Sequence, residues 1–112
     1  MGTPIEKHTP LRLSPIGYKR LCTLVDDRDG GCVVCGNPNV QHHHIYFRSE
    51  GGEDRLENLI SLCPDHHSLC GHGENKHGWQ REFMKYMDLP QNKDFARDHS
   101  KELAEIYQMK KR

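Results

Sequence analysis

Two short half-sites constrain this chain more than anything else in it: Cys32-x2-Cys35 followed by Gly36, and Cys63-x2-His66. A C-x2-C on a tight turn presents two thiolates to one tetrahedral ion. The same spacing serves redox pairs, but no βαβ pattern surrounds it, and a redox reading fails on that context. The C-x2-H at a helix start offers the second pair of donors. Cys32, Cys35, Cys63 and His66 therefore predict a closed, structural Cys3His zinc site that ties the ends of one module together. If His66 faces solvent instead, Cys70 or His72 is the fourth ligand. Cys22 has no partner at short spacing and reads as a buried core thiol.

A staple of this kind is what the composition calls for. The chain has 112 residues, of which 34% are hydrophobic and 29% charged. That predicts one domain with a thin core, the case in which a metal, disulfide or partner supplies missing stability. Five cysteines is an odd number, and no apolar leader precedes them. Both points predict a reducing, cytoplasmic setting in which cysteine binds metal. No run is apolar enough to predict a membrane span. Sixteen basic residues balance sixteen acidic ones, which argues against a strong non-specific field for nucleic acid and leaves a local basic face open.

The organisation follows from punctuation. Residues 1–13 read as a flexible arm containing His8, with Pro4 and Pro10 and no period. Ser14-Pro15 predicts an N-cap and first helical position. The helix runs to Asp27 or Arg28 on an Ile16, Leu21, Leu24, Val25 face and ends at Gly30-Gly31, giving a unit at 14–29. Residues 30–73 are dense in Cys, His, Gly and Asn. Val33-Val34, Val40 to Phe47 and Asn58 to Leu62 read as short strands, and Pro64-Asp65 open a helix carrying His66 and His67. Residues 74–112 predict a loop containing His77, a helix from Trp79 to Asp88 stopped by Pro90, and a last helix from Asp94 to Lys110. Trp79, Phe83 and Met87 form one face of the first; Phe95, His99, Leu103, Ile106 and Tyr107 one face of the second. The Lys110-Lys111-Arg112 tail reads as a solvated basic end.

Seven of the nine histidines fall between His42 and His77. His42, His43 and His44 are consecutive, and strand alternation puts His42 and His44 on one face and His43 on the other. At an irregular strand end His43 and His44 can both reach one pocket in different roles. A two-histidine cation site, with water or phosphate filling open positions, is catalytic in style, and a free imidazole beside it is a natural general base.

In order, the chain presents Arg28-Asp29-Gly30-Gly31-Cys32-x2-Cys35-Gly36, His43-His44-Ile45, Arg48-Ser49, the Gly51-Gly52-Glu53-Asp54 loop, Leu56-Glu57-Asn58-Leu59 and Leu62-Cys63-x2-His66-His67. This series resembles the HNH endonucleases, in particular the small free-standing HNH proteins of bacteriophages. The resemblance covers about Arg28 to Gly73. It implies an α+β fold: a ββα-metal (His-Me finger) core within a zinc-bound treble clef, flanked by helices.

The resemblance also implies roles. By position, His43 and His67 would hold one catalytic divalent cation, His44 would be the general base, and Asn58 would pin the loop between the strands and orient His44. The family commonly has Asp where His43 stands, a change that favours softer ions, so Mg2+, Mn2+, Ni2+ and Zn2+ all remain candidates. The implied reaction is hydrolysis of DNA phosphodiester bonds to a 5'-phosphate and a 3'-hydroxyl, by nicking or double-strand cleavage with little sequence specificity. Arg48, Arg55 and His72 are candidate phosphate or DNA contacts, His72 alternatively a further metal ligand. Phage habit would place such an enzyme beside DNA packaging (terminase) proteins. The alternative is a non-catalytic zinc module that binds nucleic acid or protein.

Overall fold

The computed structural model describes residues 9–111. Helix α1 spans Pro15–Asp29. The Ser14 hydroxyl accepts from the Gly17 N–H at 3.2 Å, and proline at the first position lacks only an N–H that has no helical partner there. Gly30 closes the helix in the left-handed region (φ 67°), donating to the Asp26 carbonyl at 2.9 Å. Leu21, Leu24 and Val25 are buried as expected, whereas Ile16 is exposed, since the first turn buries its Gly17 side instead.

Strands β1 (Gln41–His44) and β2 (Leu59–Leu62) form an antiparallel pair with His43 opposite Ile60 and His44 opposite Leu59. The expected longer strand to Phe47 stops at His44. Beyond it the Ile45 N–H donates to the Asn58 carbonyl, and the Tyr46 N–H is taken by the Asn58 side chain (both 2.8 Å), which turns the chain out of the ladder. Val33-Val34 is likewise a turn rather than a strand, bent by the knuckle as the Gly36 N–H donates back to the Cys32 carbonyl at 2.7 Å. After β2, α2 (Pro64–His66) widens into a π-helical turn over His67–Gly71.

The C-terminal third differs more. Helix α3 is Lys76–Met87, so it begins three residues earlier than its apolar face and contains His77. Pro90 does not merely stop it. Leu89 takes the extended backbone that a following proline favours, and Pro90 opens a new helix, α4 (Pro90–Asp98). The expected single last helix is broken at His99 (φ −107°, ψ 17°) before α5 (Ser100–Ile106). There the His99 ring stacks on Phe95 with centroids 4.0 Å apart. No helix among the described residues is long and apolar enough to cross a membrane.

The apolar residues form two clusters. One joins α1 to Leu56, Leu59, Leu103 and Ile106, with Leu11 and Leu13 built into it. Residues 9–13 of the expected arm are thus fixed: the Leu11 and Leu13 N–H groups donate to the Glu53 and Asp54 carboxylates, and Leu13 bridges to Lys110. The other cluster holds Cys32, Ile45, Ile60, Leu62, Cys63, Cys70 and Phe83, with Trp79 and Met87 at its edge.

The two clusters meet at a buried ion pair. Arg28 Nε lies 2.7 Å from Asp29, with side chains 2% and 0% exposed. The remaining Arg28 donors reach the carbonyls of Leu56 and Leu59. Asp29 also accepts from the Ser61 N–H at 2.9 Å and the Tyr86 hydroxyl at 2.8 Å, joining α1, β2 and α3. Removing one partner strands the other charge without water. Asp29→Ala is therefore expected to cost about 3–5 kcal/mol and Tyr86→Phe about 1 kcal/mol, read from urea midpoints at constant slope. Equal effects of the two changes would contradict this account.

Candidate active site

The cysteine half-sites converge. Donor atoms of Cys32, Cys35, Cys63 and His66 all lie within 4.8 Å of one another. Cys35 and Cys63 sulfurs are 3.8 Å apart, and His66 Nδ1 is 3.6 Å from Cys32 and 3.2 Å from Cys63. Tetrahedral zinc with bonds of about 2.3 Å to sulfur and 2.0 Å to nitrogen requires edges of about 3.8 and 3.5 Å. The donor set thus fits zinc in type and spacing. Of the alternative fourth ligands, Cys70 is buried in the neighbouring core and His72 joins a different group. Burial pushes the Cys32 thiol up, but the backbone N–H groups of Cys63, Cys35 and Val34 outweigh it and bring the pKa down to about 6. A thiolate is thus stabilised before any ion arrives.

A second group is made of His43, His67 and His72, whose ring nitrogens also lie within 4.8 Å of one another. Ring centroids of His67 and His72 are 4.7 Å apart, and those of His43 and His67 5.2 Å. In an α-helix residues five apart point about 140° away from each other. The π-helical turn over His67–Gly71 widens the spiral, so that both imidazoles can meet His43. Gly71 leaves the room: a Cβ there would sit 2.8 Å from the His43 ring. His43 is buried, and its pKa is pushed down to about 4 by burial and then by His67 and His72. Burial also lowers His67. Neutral imidazoles facing one another suit a cation.

Strand alternation sends His42 and His44 the other way, toward α1. His42 Nε2 pairs with Asp26 at 2.7 Å, apart from the histidine group. His44 Nε2 lies 2.8 Å from Asp54 Oδ1, and its ring stacks on Tyr18 at 6.1 Å. Asp54 is fully buried. Burial alone would raise its pKa, but the Leu13 N–H, His44 and Arg48 together hold it below the usual value. An ionised Asp54 only accepts, so its 2.8 Å contact favours the proton on His44 Nε2 over the longer 3.4 Å approach of the Arg48 Nε donor, and leaves Nδ1 as the basic nitrogen. Burial lowers the His44 pKa, with Asp54 opposing.

Arg48 places its guanidinium 3.1 Å from Asp54 and over the Tyr18 ring at 5.4 Å, with half its side chain exposed. His42, His43, His44, Arg48, His67, His72 and Lys76 line one cleft of about 340 Å³. Arg55 is elsewhere: it pairs with Glu53 at 3.0 Å and covers Tyr107 at 5.1 Å. Asn58 is buried and pins the loop, accepting from Tyr46 N–H and donating to the Tyr46 and Glu53 carbonyls. Its reach to His44 is indirect, through the segment that carries Asp54. His77 lies on α3 against Phe47.

Sequence reasoning missed Asp54 and Tyr18. An acid in a Gly-Gly-Glu-Asp loop was the available signal for the first; nothing in the spacing of α1 marks the second.

Residues 32–73 match the family model described as HNH endonuclease. This part of the chain is similar to HNH endonuclease domains, and the match covers less than half of the chain. A curated relative, anaredoxin of Nostoc sp., is 38% identical over 47 residues, covering 40% of this chain and 62% of that protein. The type IV methyl-directed restriction enzyme EcoKMcrA of Escherichia coli is 38% identical over 40 residues, covering 36% of this chain and 14% of the enzyme. The chain thus spans less than two thirds of either relative. HNH endonucleases use divalent metals to cut DNA, and both donor groups lie in or beside the matched residues.

Two expectations follow. Gly71→Ala drives a methyl into His43, and should weaken Mn2+ or Ni2+ binding by about tenfold or more while the zinc content measured by atomic absorption stays unchanged. The second concerns pH. His43 takes its proton near 6.5 in the unfolded chain and at about 4 when folded. Between those values the unfolded state binds the extra proton, so stability is full above pH 6.5 and falls as pH drops toward 4. The urea midpoint should show this loss, and His43→Gln should flatten it; an equally steep fall in the variant would assign it to other groups.

Proposed function

We propose that the protein is a metal-dependent endonuclease hydrolysing DNA phosphodiester bonds. The observation that carries this reading is the single cleft in which His43, His67 and His72 converge beside His44, itself held by a buried carboxylate. Cys32, Cys35, Cys63 and His66 would hold zinc for structure. His43, His67 and His72 would hold the catalytic ion, which when bound would polarise the scissile phosphate and offset charge on the leaving oxygen.

His44 removes a proton from the attacking water through Nδ1. Asp54 keeps the ring in the correct tautomer and stabilises the imidazolium as it forms. Arg48, held by Asp54 and Tyr18 with its outer face free, offers its remaining N–H groups to a non-bridging phosphate oxygen. Asn58 keeps the loop between the strands in register. Three imidazoles bring no negative charge to the ion, which favours Mn2+, Ni2+ or Zn2+ over Mg2+. One such cleft cuts one strand per encounter, so nicked circles should precede linear DNA. In a phage, an enzyme of this kind would work beside the terminase.

A binding module has no use for a buried acid holding a histidine at the mouth of a second donor cluster. The discriminating experiment is supercoiled-plasmid cleavage with each ion added to zinc-loaded protein. His44→Ala should lose about 10²- to 10⁴-fold in rate with fold and zinc retained, and Asp54→Asn should lose less. A folded, zinc-loaded wild type that cuts with none of the four ions would remove the enzyme reading and leave the binding module.

A further inference from the structure

Charge on this chain is balanced in total but not in place. Beyond the 48–52 loop lies a groove of about 580 Å³ whose charged lining is Arg12, Arg55, Lys110, Lys111 and one acid, Glu53. Glu53 is paired with Arg55. Lys110 and Lys111 are exposed and make no ion pair among the described residues. Their backbone is fixed: Lys110 bridges to Leu13, and the Lys111 N–H donates to the Arg12 carbonyl at 2.7 Å.

Arg12 joins this groove to the cleft. Its guanidinium donates to the carbonyls of Gly52 and, at 3.4 Å, Arg48, and its charge is felt at His44. The cleft contributes Arg48 and Lys76 and has no acid in its lining. The acids Glu50, Glu57 and Asp88 line an adjoining hollow, which shares only Glu53 and Arg55 among its charged residues with the groove. Cations therefore line both the cleft (Arg48, Lys76) and the groove (Lys110, Lys111), with Arg12 reaching from the groove to the loop that carries Arg48. Arg12, Lys110 and Lys111 all lie outside the residues that match the HNH family.

We propose that this groove is a second DNA-backbone site, laid down by the two ends of the chain. Duplex DNA with its scissile phosphate in the cleft continues across Arg12 and sets its neighbouring phosphates against Lys111 and Lys110. This rests on the nuclease reading for what fills the cleft. Lysines on a groove rim bind phosphate without reading bases, so the contribution is to affinity and orientation and is salt-dependent.

The test compares His44→Ala, which leaves DNA intact, with the same protein carrying Lys110→Ser and Lys111→Ser. Both lysines are exposed and their bridging uses main-chain atoms, so the fold is retained. Anisotropy of a labelled duplex is titrated across a salt series. Loss of two phosphate contacts should make the slope of log K against log salt shallower by about two. In parallel, proteins with His44 intact hydrolyse bis(p-nitrophenyl) phosphate, a diester that fills only the cleft, and the lysine changes should leave that rate alone. An unchanged salt slope overturns the proposal, as does a parent protein that binds no DNA. Equal loss of small-diester hydrolysis in the lysine variant also overturns it, by moving those side chains into the chemistry. A shifted slope with no hydrolysis of either substrate by the wild type keeps the groove and removes the nuclease reading.

Discussion

Three sulfurs and one imidazole drawn to within 4.8 Å of one another are the constraint from which the rest of the module follows. The knuckle carrying Cys32 and Cys35 is joined to the start of α2, where Cys63 and His66 sit, so both ends of the β1–β2 hairpin are closed at one place. Without a cation the thiolates would repel. Despite the Asn37 N–H, which lowers it, the Cys35 thiol is pushed up by burial and then by its neighbours Cys32 and Cys63. Ion binding would remove that repulsion and supply cohesion that the apolar cluster of Ile45, Ile60, Leu62 and Phe83 gives only in part.

With the hairpin closed, one short strand performs two tasks because its side chains alternate. His43 faces the widened turn of α2, and His44 faces α1 and the 51–58 loop. The two surfaces differ in what they do to an imidazole. On one side burial and neighbouring histidines keep the ring neutral; on the other a buried carboxylate fixes its tautomer. Asp54 is held in turn by the Leu13 N–H, so the segment before α1 helps set the ring that faces the cleft. Positional precision at His44 therefore depends on residues far from it in sequence.

This dependence explains which features the sequence disclosed. Cys32, Cys35, Cys63 and His66 were legible because zinc geometry imposes a local spacing, and the α1 caps because Ser14, Pro15 and Gly30 act within one turn. The separation of His43 from His42 and His44 follows from a period of two. Asp54, Tyr18 and the packing of Leu11 and Leu13 were not legible, since each takes its meaning from a partner many residues away. The π-helical turn was missed for a related reason. His67 and His72 stand five apart, a spacing that no regular α-helix brings together, and only the packing against His43 shows what the extra residue accomplishes. At the C-terminus the Phe95 to Tyr107 pattern was continuous through His99, but the break there keeps His99 stacked on Phe95 while Leu103 and Ile106 reach the core.

Zero net charge counts against a nucleic-acid role only if charge is spread evenly. Here acids and bases are sorted by the fold. Buried or paired carboxylates such as Asp29, Asp54 and Glu53 are consumed by internal donors, and their role is to position arginines and a histidine. Lys76, Lys110 and Lys111 form no ion pair among the described residues, and they lie on the sides of the molecule that carry the cleft and the adjoining groove. At physiological salt, fields reach about 8 Å, so a phosphate sees the nearest few groups and not the total. A chain can therefore be neutral overall and still present a cationic path to DNA. Weak long-range attraction then limits non-specific capture, leaving selection of the substrate to contacts made at close range.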